Sequence, residues 1–281
     1  MSTIESDGFL SPELHRHIDE CRRRHAGWFE LLTRANRLGQ SLLKEVRIEP
    51  TNLQQSIACL FYIRLLGHAQ AAVILIERCM PTQSEVLCRA SLETLFGLVA
   101  VVYHADTAQL LVRGDRHHRL KLLKATLRRG ETVGADAVKE ATLVLDELKK
   151  DLAEDPDAEL TTWSLAERAG LLPLYDSAYR ILSLSVHSNL RDLERQLSLN
   201  ADGNPSTINW GPNFESLDES LMLVGDVFIR GTNAICSLFN LGHQEELEAI
   251  RRCYSPLAAR ILERMPNQSV ESTAEKRRDS R

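Results

Sequence analysis

The sequence predicts an all-α protein, an antiparallel multi-helix bundle, and three observations carry that expectation. Apolar residues recur three and four apart through most of the chain, the spacing of a helix face. Runs that alternate apolar and polar residues, as strands do, are nearly absent. Proline, glycine and short polar boxes cut the periodic segments into lengths suited to helices that turn back on one another.

Ser11-Pro12 opens a first helix that runs to about Val46, with a kink near Gly27. Glu49-Pro50 closes it, so residues 1–50 are read as an N-terminal helical arm. A bundle domain is expected over 51–265. Its first helix covers Thr51 to Cys79, and Pro81 breaks the chain. Thr82-x-x-Glu85 has the capping-box spacing and opens a helix to about Tyr103. Two helices follow, Asp106 to Arg129 and Asp136 to Glu154. Arg113, Arg116, Arg119, Lys121 and Lys124 load the first; Glu140, Asp146 and Glu147 load the second. Packed as a hairpin, the two neutralise each other.

A short helix spans Ser164 to Ala169, and Pro173 leads into a long one reaching about Leu199. Its core stripe is expected to be Leu182, Val186, Leu190, Leu193 and Leu197. Asn200 to Glu215 reads as a loop, stapled to the bundle by Trp210 and Phe214. Ser216-x-x-Glu219 has the spacing to cap a helix to about Leu241, and Gln244 to Arg264 is the last. Residues 266–281 are polar and charged, the composition of a disordered tail.

Composition narrows the function classes. A hydrophobic fraction of 43% and a charged fraction of 26% are those of an ordinary globular chain. The net charge of −5 argues against a protein coated in basic surface for nucleic acid. The six cysteines stand singly, which fits packed thiols rather than a disulfide framework or a metal finger. No phosphate-loop, dinucleotide, nucleophile-elbow or His-Glu-x-x-His motif is present, so no cofactor and no metal are expected. The longest charge-free apolar stretches, Leu65–Ile76 and Thr94–Ala105, fall short of the roughly 18–20 residues that span a bilayer. The expectation is a cytoplasmic protein without a membrane partner.

Polar groups on apolar faces are the informative residues. Arg64 and His68 share a face of the helix after Thr51, and Arg89 lies one turn before Glu93 among apolar neighbours. Charges in such settings need partners, because an unpaired buried charge costs several kcal/mol, a rough figure. In the helix after Pro173, Tyr175, Tyr179, Ser183 and His187 recur every fourth residue, with Arg180 beside them. The row borders the buried face, where apolar walls meet convergent polar groups.

Arg89-x-x-x-Glu93, followed by Tyr179-Arg180-x-x-Ser183-x-x-x-His187, resembles the all-helical bacterial Domain of Unknown Function 5677 family, over roughly Thr51 to Leu199. That family implies no activity. Arg180 and His187, six residues between them, are also similar to the Arg-x(4–6)-His motif of the higher-eukaryote-and-prokaryote nucleotide-binding superfamily. Its helical members are often metal-independent ribonucleases of toxin and phage-defence systems, with sites shared across a dimer.

Two functions remain open on the sequence. In the first, His187 is a general acid or base and Arg180 a phosphate ligand, with Arg89, Glu93, Tyr179, Ser183, Tyr175 and Arg64 binding or orienting. Its partner would be RNA or another phosphate-bearing ligand. In the second, the polar row is a buried network in a non-catalytic helical module that binds a partner or forms a homodimer.

Overall fold

Helix α5 (Pro81–Tyr103) is the axis on which the chain packs, because its second half, Thr94 to Val102, is buried on every side. The structure is a computed structural model, and it describes residues 3–128, 134–153, 160–186 and 190–264. Before α5 come α1 (Ile4–Asp7), α2 (Leu14–Arg24), α3 (Ala26–Glu45) and α4 (Leu53–Glu77). After it come α6 (Asp106–Leu127), α7 (Ala135–Ala153) and α8 (Thr162–Arg168). Next is one helical segment in three parts: α9 (Leu172–Leu174), a π turn (Tyr175–Tyr179) and α10 (Arg180–Val186). The short α11 (Leu190–Leu193), strands β1 (Leu197–Leu199) and β2 (Pro205–Ile208), and helices α12 (Leu217–Phe239) and α13 (Gln244–Leu262) complete the order.

Local chemistry sets several of these boundaries. Asn52 caps α4, its side-chain oxygen accepting from the Gln55 backbone at 3.0 Å. Pro81 occupies the first turn of α5, where its missing N–H is not needed. Asn240 ends α12 in the left-handed conformation at φ 51°. The kink expected near Gly27 is a break at His25 between α2 and α3.

Helices α4 and α5 lie side by side, α12 packs against both, and α3 and α13 close over α12. Tyr62, Leu65, Phe96, Leu98, Leu221 and Phe228 fill the centre. The Tyr62 and Thr232 hydroxyls meet there at 3.1 Å. Within the segment expected as an arm, α3 packs on this core through Trp28, Leu31, Leu32, Leu38 and Leu42. Helices α6 and α7 pack together as a hairpin.

Four local expectations are corrected. Glu85 does not close a capping box, since the α5 N-terminus has no side-chain cap. Ser216 makes no cap bond either, and it sits at φ 60°. The long helix does not run on to Leu199: it gives way to α11 and then to an antiparallel hairpin pairing Leu197 with Ile208. Leu190, Leu193 and Leu197, expected as core, are exposed. In the loop, Phe214 packs on the core while Trp210 is exposed. The tail from 266 lies outside the described residues.

Three helices, α4, α5 and α12, are long and apolar enough to cross a membrane by length and composition alone. Within the fold they behave differently. The apolar windows of α5 and α12 are each 67% buried, and that of α4 only 39%.

Close packing depends on glycine at two crossings. A Cβ on Gly97 would lie 2.6 Å from the Phe61 ring, and one on Gly231 would lie 2.2 Å from Leu65 Cδ2. Leu65 is itself fully packed and has nowhere to move. Gly231→Ala is therefore expected to destabilise the fold by about 1–3 kcal/mol through overpacking, read as a lower urea midpoint at unchanged slope.

Candidate functional site

Glu85, Arg89 and Glu93 stand one turn apart on α5 and form a ladder of charge on an otherwise apolar helix. Each finds partners on the chain segment that runs from α9 to β1. The Arg89 guanidinium donates from Nε to the Ser183 hydroxyl at 3.0 Å and from Nη2 to the Tyr179 hydroxyl at 2.7 Å. Nη2 also meets Glu93 Oε1 at 3.1 Å. Tyr179 in turn donates its hydroxyl proton to Glu93 Oε1 at 2.7 Å, and Ser183 donates to the Tyr179 carbonyl at 2.8 Å.

The π turn sets the tyrosine geometry. Its i→i+5 bonds widen the helix by one residue, a distortion common where side chains must be re-aimed. Tyr175 and Tyr179 stack with ring centroids 4.8 Å apart and planes 20° apart. Phe96 of α5 meets the Tyr179 ring edge-on at 6.0 Å, and the Arg89 guanidinium lies 4.8 Å from that ring's centroid. Burial, and then the bond to the Glu93 carboxylate, push the Tyr179 hydroxyl above its ordinary pKa.

The row expected from the sequence thus divides. Arg89, Glu93, Tyr179 and Ser183 converge, and Tyr175 joins by stacking. Arg180 does not: it is 66% exposed, paired with Asp176 at 3.5 Å, its guanidinium 5.9 Å from the Tyr175 ring centroid. Arg64 lies elsewhere, in a groove between α4 and α6 with His68, Asp115 and Arg119. His187 lies outside the described residues.

A second cluster, missed on the sequence, sits one turn back along α5. Buried Glu85 accepts from the Ser185 hydroxyl at 2.7 Å and takes both arms of Arg195, at 2.8 and 2.9 Å. Arg195 also donates to the Ser216 hydroxyl at 3.3 Å. Both boxes read as caps, Thr82-x-x-Glu85 and Ser216-x-x-Glu219, therefore give a residue to this cluster instead. The signal was the four-residue spacing from Glu85 to Arg89 to Glu93.

Glu85, Ser185 and Arg195 line one part of a cleft of about 620 Å³. Its other walls are Leu174, Ala178, Ile181 and Leu182 on one side, and Met222, Leu223 and Tyr254 on another. Among the described residues no group of three His, Cys, Asp or Glu side chains is placed to hold a metal ion.

Fold and site together define an all-α bundle whose central helix carries a ladder of paired charges beside an apolar cleft. The chain matches the model of the Family of unknown function (DUF5677) over residues 55–205, and it belongs to that family. The matched region holds α4 and α5 and both charge clusters of the ladder. No curated protein and no solved structure matches the chain.

The Tyr179 shift has a signed consequence. Below about pH 10 the hydroxyl is protonated in folded and unfolded chains alike, and its buried contacts are intact. Above that, the unfolded chain ionises first, so stability falls as pH rises towards the folded-state value. Tyr179→Phe should lower stability near neutrality by about 1 kcal/mol, since it removes the bond to Glu93. It should also flatten the alkaline decline, as urea midpoints taken near pH 8 and near pH 11 would show.

Proposed function

We propose that the chain is a non-catalytic helical interaction module that pairs with a second copy of itself through the outer face of α4. The observation that carries this is that α4 is apolar on two opposite faces. Ala58, Tyr62, Leu65, Ala69 and Ala72 point inward and are buried. Leu53, Leu60, Ile63 and Ile74 are exposed on the other side, at helical positions that share an arc of about 80° with Gly67. A Cβ on Gly67 would meet nothing, so this face is open at its middle. A helix apolar all round is ordinarily buried all round, and exposed patches of this kind mark association surfaces.

Charge favours a second copy as the occupant. Beside this face Arg64 makes no ion pair among the described residues, and Asp115 of α6 holds Arg119 at 2.6 Å at the far wall of the groove. Arg64 and Asp115 line one groove at the margin of this face, so a second copy related by a two-fold axis presents a carboxylate as well as a guanidinium to that margin. Sedimentation equilibrium should give a dimer for the wild-type chain and a monomer for Leu60→Glu or Ile63→Arg, with unchanged helical content. A monomeric wild type ends this reading. Wild-type chain that floats with lipid vesicles, while Ile63→Arg does not, would assign the face to a bilayer instead.

A second reading is a phosphate- or RNA-directed module of defence or toxin type, working through Arg180 and His187. What favours it is the exposure of Arg180, whose guanidinium stands open to an anion with a loose pairing to Asp176. A mixed RNA pool incubated with the wild-type chain should then be cut, and Arg180→Ala and His187→Ala should each abolish cutting. Intact RNA with the wild type, or equal cutting by either variant, rejects it.

A further inference from the structure

The cleft beside Glu85 is independent of the α4 face and of the Arg89 network, and its lining has a definite chemistry. Most of its wall is aliphatic or aromatic, and Ile181 and Leu262 remain exposed at its rim. Its charged residues are three carboxylates, Glu85, Glu219 and Asp226, and one guanidinium, Arg195. That guanidinium is engaged by both oxygens of Glu85 and by Ser216, so the ion pair at this wall is internally neutral. What remains towards the opening is the Glu219 carboxylate, because Asp226 is neutralised by Arg230.

Glu219 and Asp226 stand seven residues apart on α12, which puts them on one face, about 10 Å apart along the axis. Met222 and Leu223 lie between them on that face and line the cleft. Glu219 is exposed and makes no ion pair among the described residues, while Asp226 holds Arg230 at 2.6 Å. Tyr254 of α13 closes the wall near Asp226, with an aromatic ring that a cation can approach. Burial, and then the Asp226 charge, raise the Tyr254 hydroxyl pKa, which keeps it a neutral hydrogen-bonding group.

We infer that this cleft binds an aliphatic organic cation, with its hydrocarbon body against Ile181, Leu182, Met222 and Leu223 and its ammonium group at Glu219, on the edge of the cleft. A carboxylate head would meet that edge with repulsion, and Arg195 is held by Glu85. A neutral head would gain the apolar contacts and lose the charge.

Octylammonium, octanol and octanoate, titrated into the full chain by calorimetry, separate these cases. Octylammonium should bind about five-fold tighter than octanol, the size of a partly exposed ion pair, and octanoate should bind weakest. Shortening the chain to hexylammonium should cost more than about ten-fold, as two methylenes leave the apolar wall. Glu219→Gln, which leaves the Asp226–Arg230 pair intact, should bring octylammonium down to the level of octanol without changing octanol itself. Met222→Trp, which narrows the apolar wall, should weaken binding of all three. The inference is overturned if the wild type binds none of them. It is equally overturned if octanoate matches octylammonium, if the preference survives in Glu219→Gln, or if Met222→Trp binds as the wild type does. A thermal melt on each variant confirms that it is folded before it is scored.

Discussion

A helix enclosed by its neighbours can carry charge only where each charge has a partner, and α5 carries three. Glu85, Arg89 and Glu93 would each cost more in lost hydration than packing could offset if they met only apolar side chains. The chain answers with one segment. Between Tyr179 and Arg195 it supplies two hydroxyl groups and a guanidinium to Glu85 and Arg89, and the Tyr179 hydroxyl bridges Arg89 and Glu93. Docking of α9 to α10 on α5 is thereby fixed in register as well as in place.

That demand explains irregularities that would otherwise look like defects. The π turn over Tyr175–Tyr179 lets Tyr179 reach both Arg89 and Glu93 while its ring packs on Phe96 and Tyr175. Ser216 takes a left-handed backbone conformation that a side-chain cap would not require, and its hydroxyl accepts from Arg195. Strained or unusual backbone persists where surrounding bonds over-determine it. Here those bonds lead to the three charges of α5, Tyr179 to Arg89 and Glu93, and Ser216 through Arg195 to Glu85.

The helices were legible because burial imposes its period directly on the sequence. The enclosure of Thr94 to Val102 follows from a run with no charged residue. The polar row was legible for the converse reason, as polar residues at intervals of four beside an apolar face. What was not legible depends on backbone or on distant segments. A π turn leaves no side-chain pattern, so Arg180, adjacent to Tyr179 in sequence, points away from Arg89. The serine- or threonine-to-glutamate spacing is local and cheap, so it was read twice as a cap, although Pro81 had already set the start of α5 one residue before Thr82. The stripe through Leu190, Leu193 and Leu197 kept helical period past the end of the helix. Beneath it lay a second period, with apolar Leu197, Leu199, Ile208 and Trp210 at alternate positions, which is that of the hairpin.

The same logic separates α4 from the other two apolar helices. Hydropathy counts apolar residues whichever way they face. In α5 and α12 the count is accounted for by burial, with two thirds of each window inside the protein. In α4 it is not. Its inward side holds Tyr62, Leu65 and Leu66 against α12 and α3, and its outward side carries Leu53, Leu60, Ile63 and Ile74, which the described residues leave exposed. Arg64 stands at the edge of that outward side, where a bilayer would penalise it and a facing carboxylate would not. Packing among the described residues therefore leaves this apolar surface unexplained, on the helix with which the family region opens. The charge at its margin favours the proposed second copy over a bilayer.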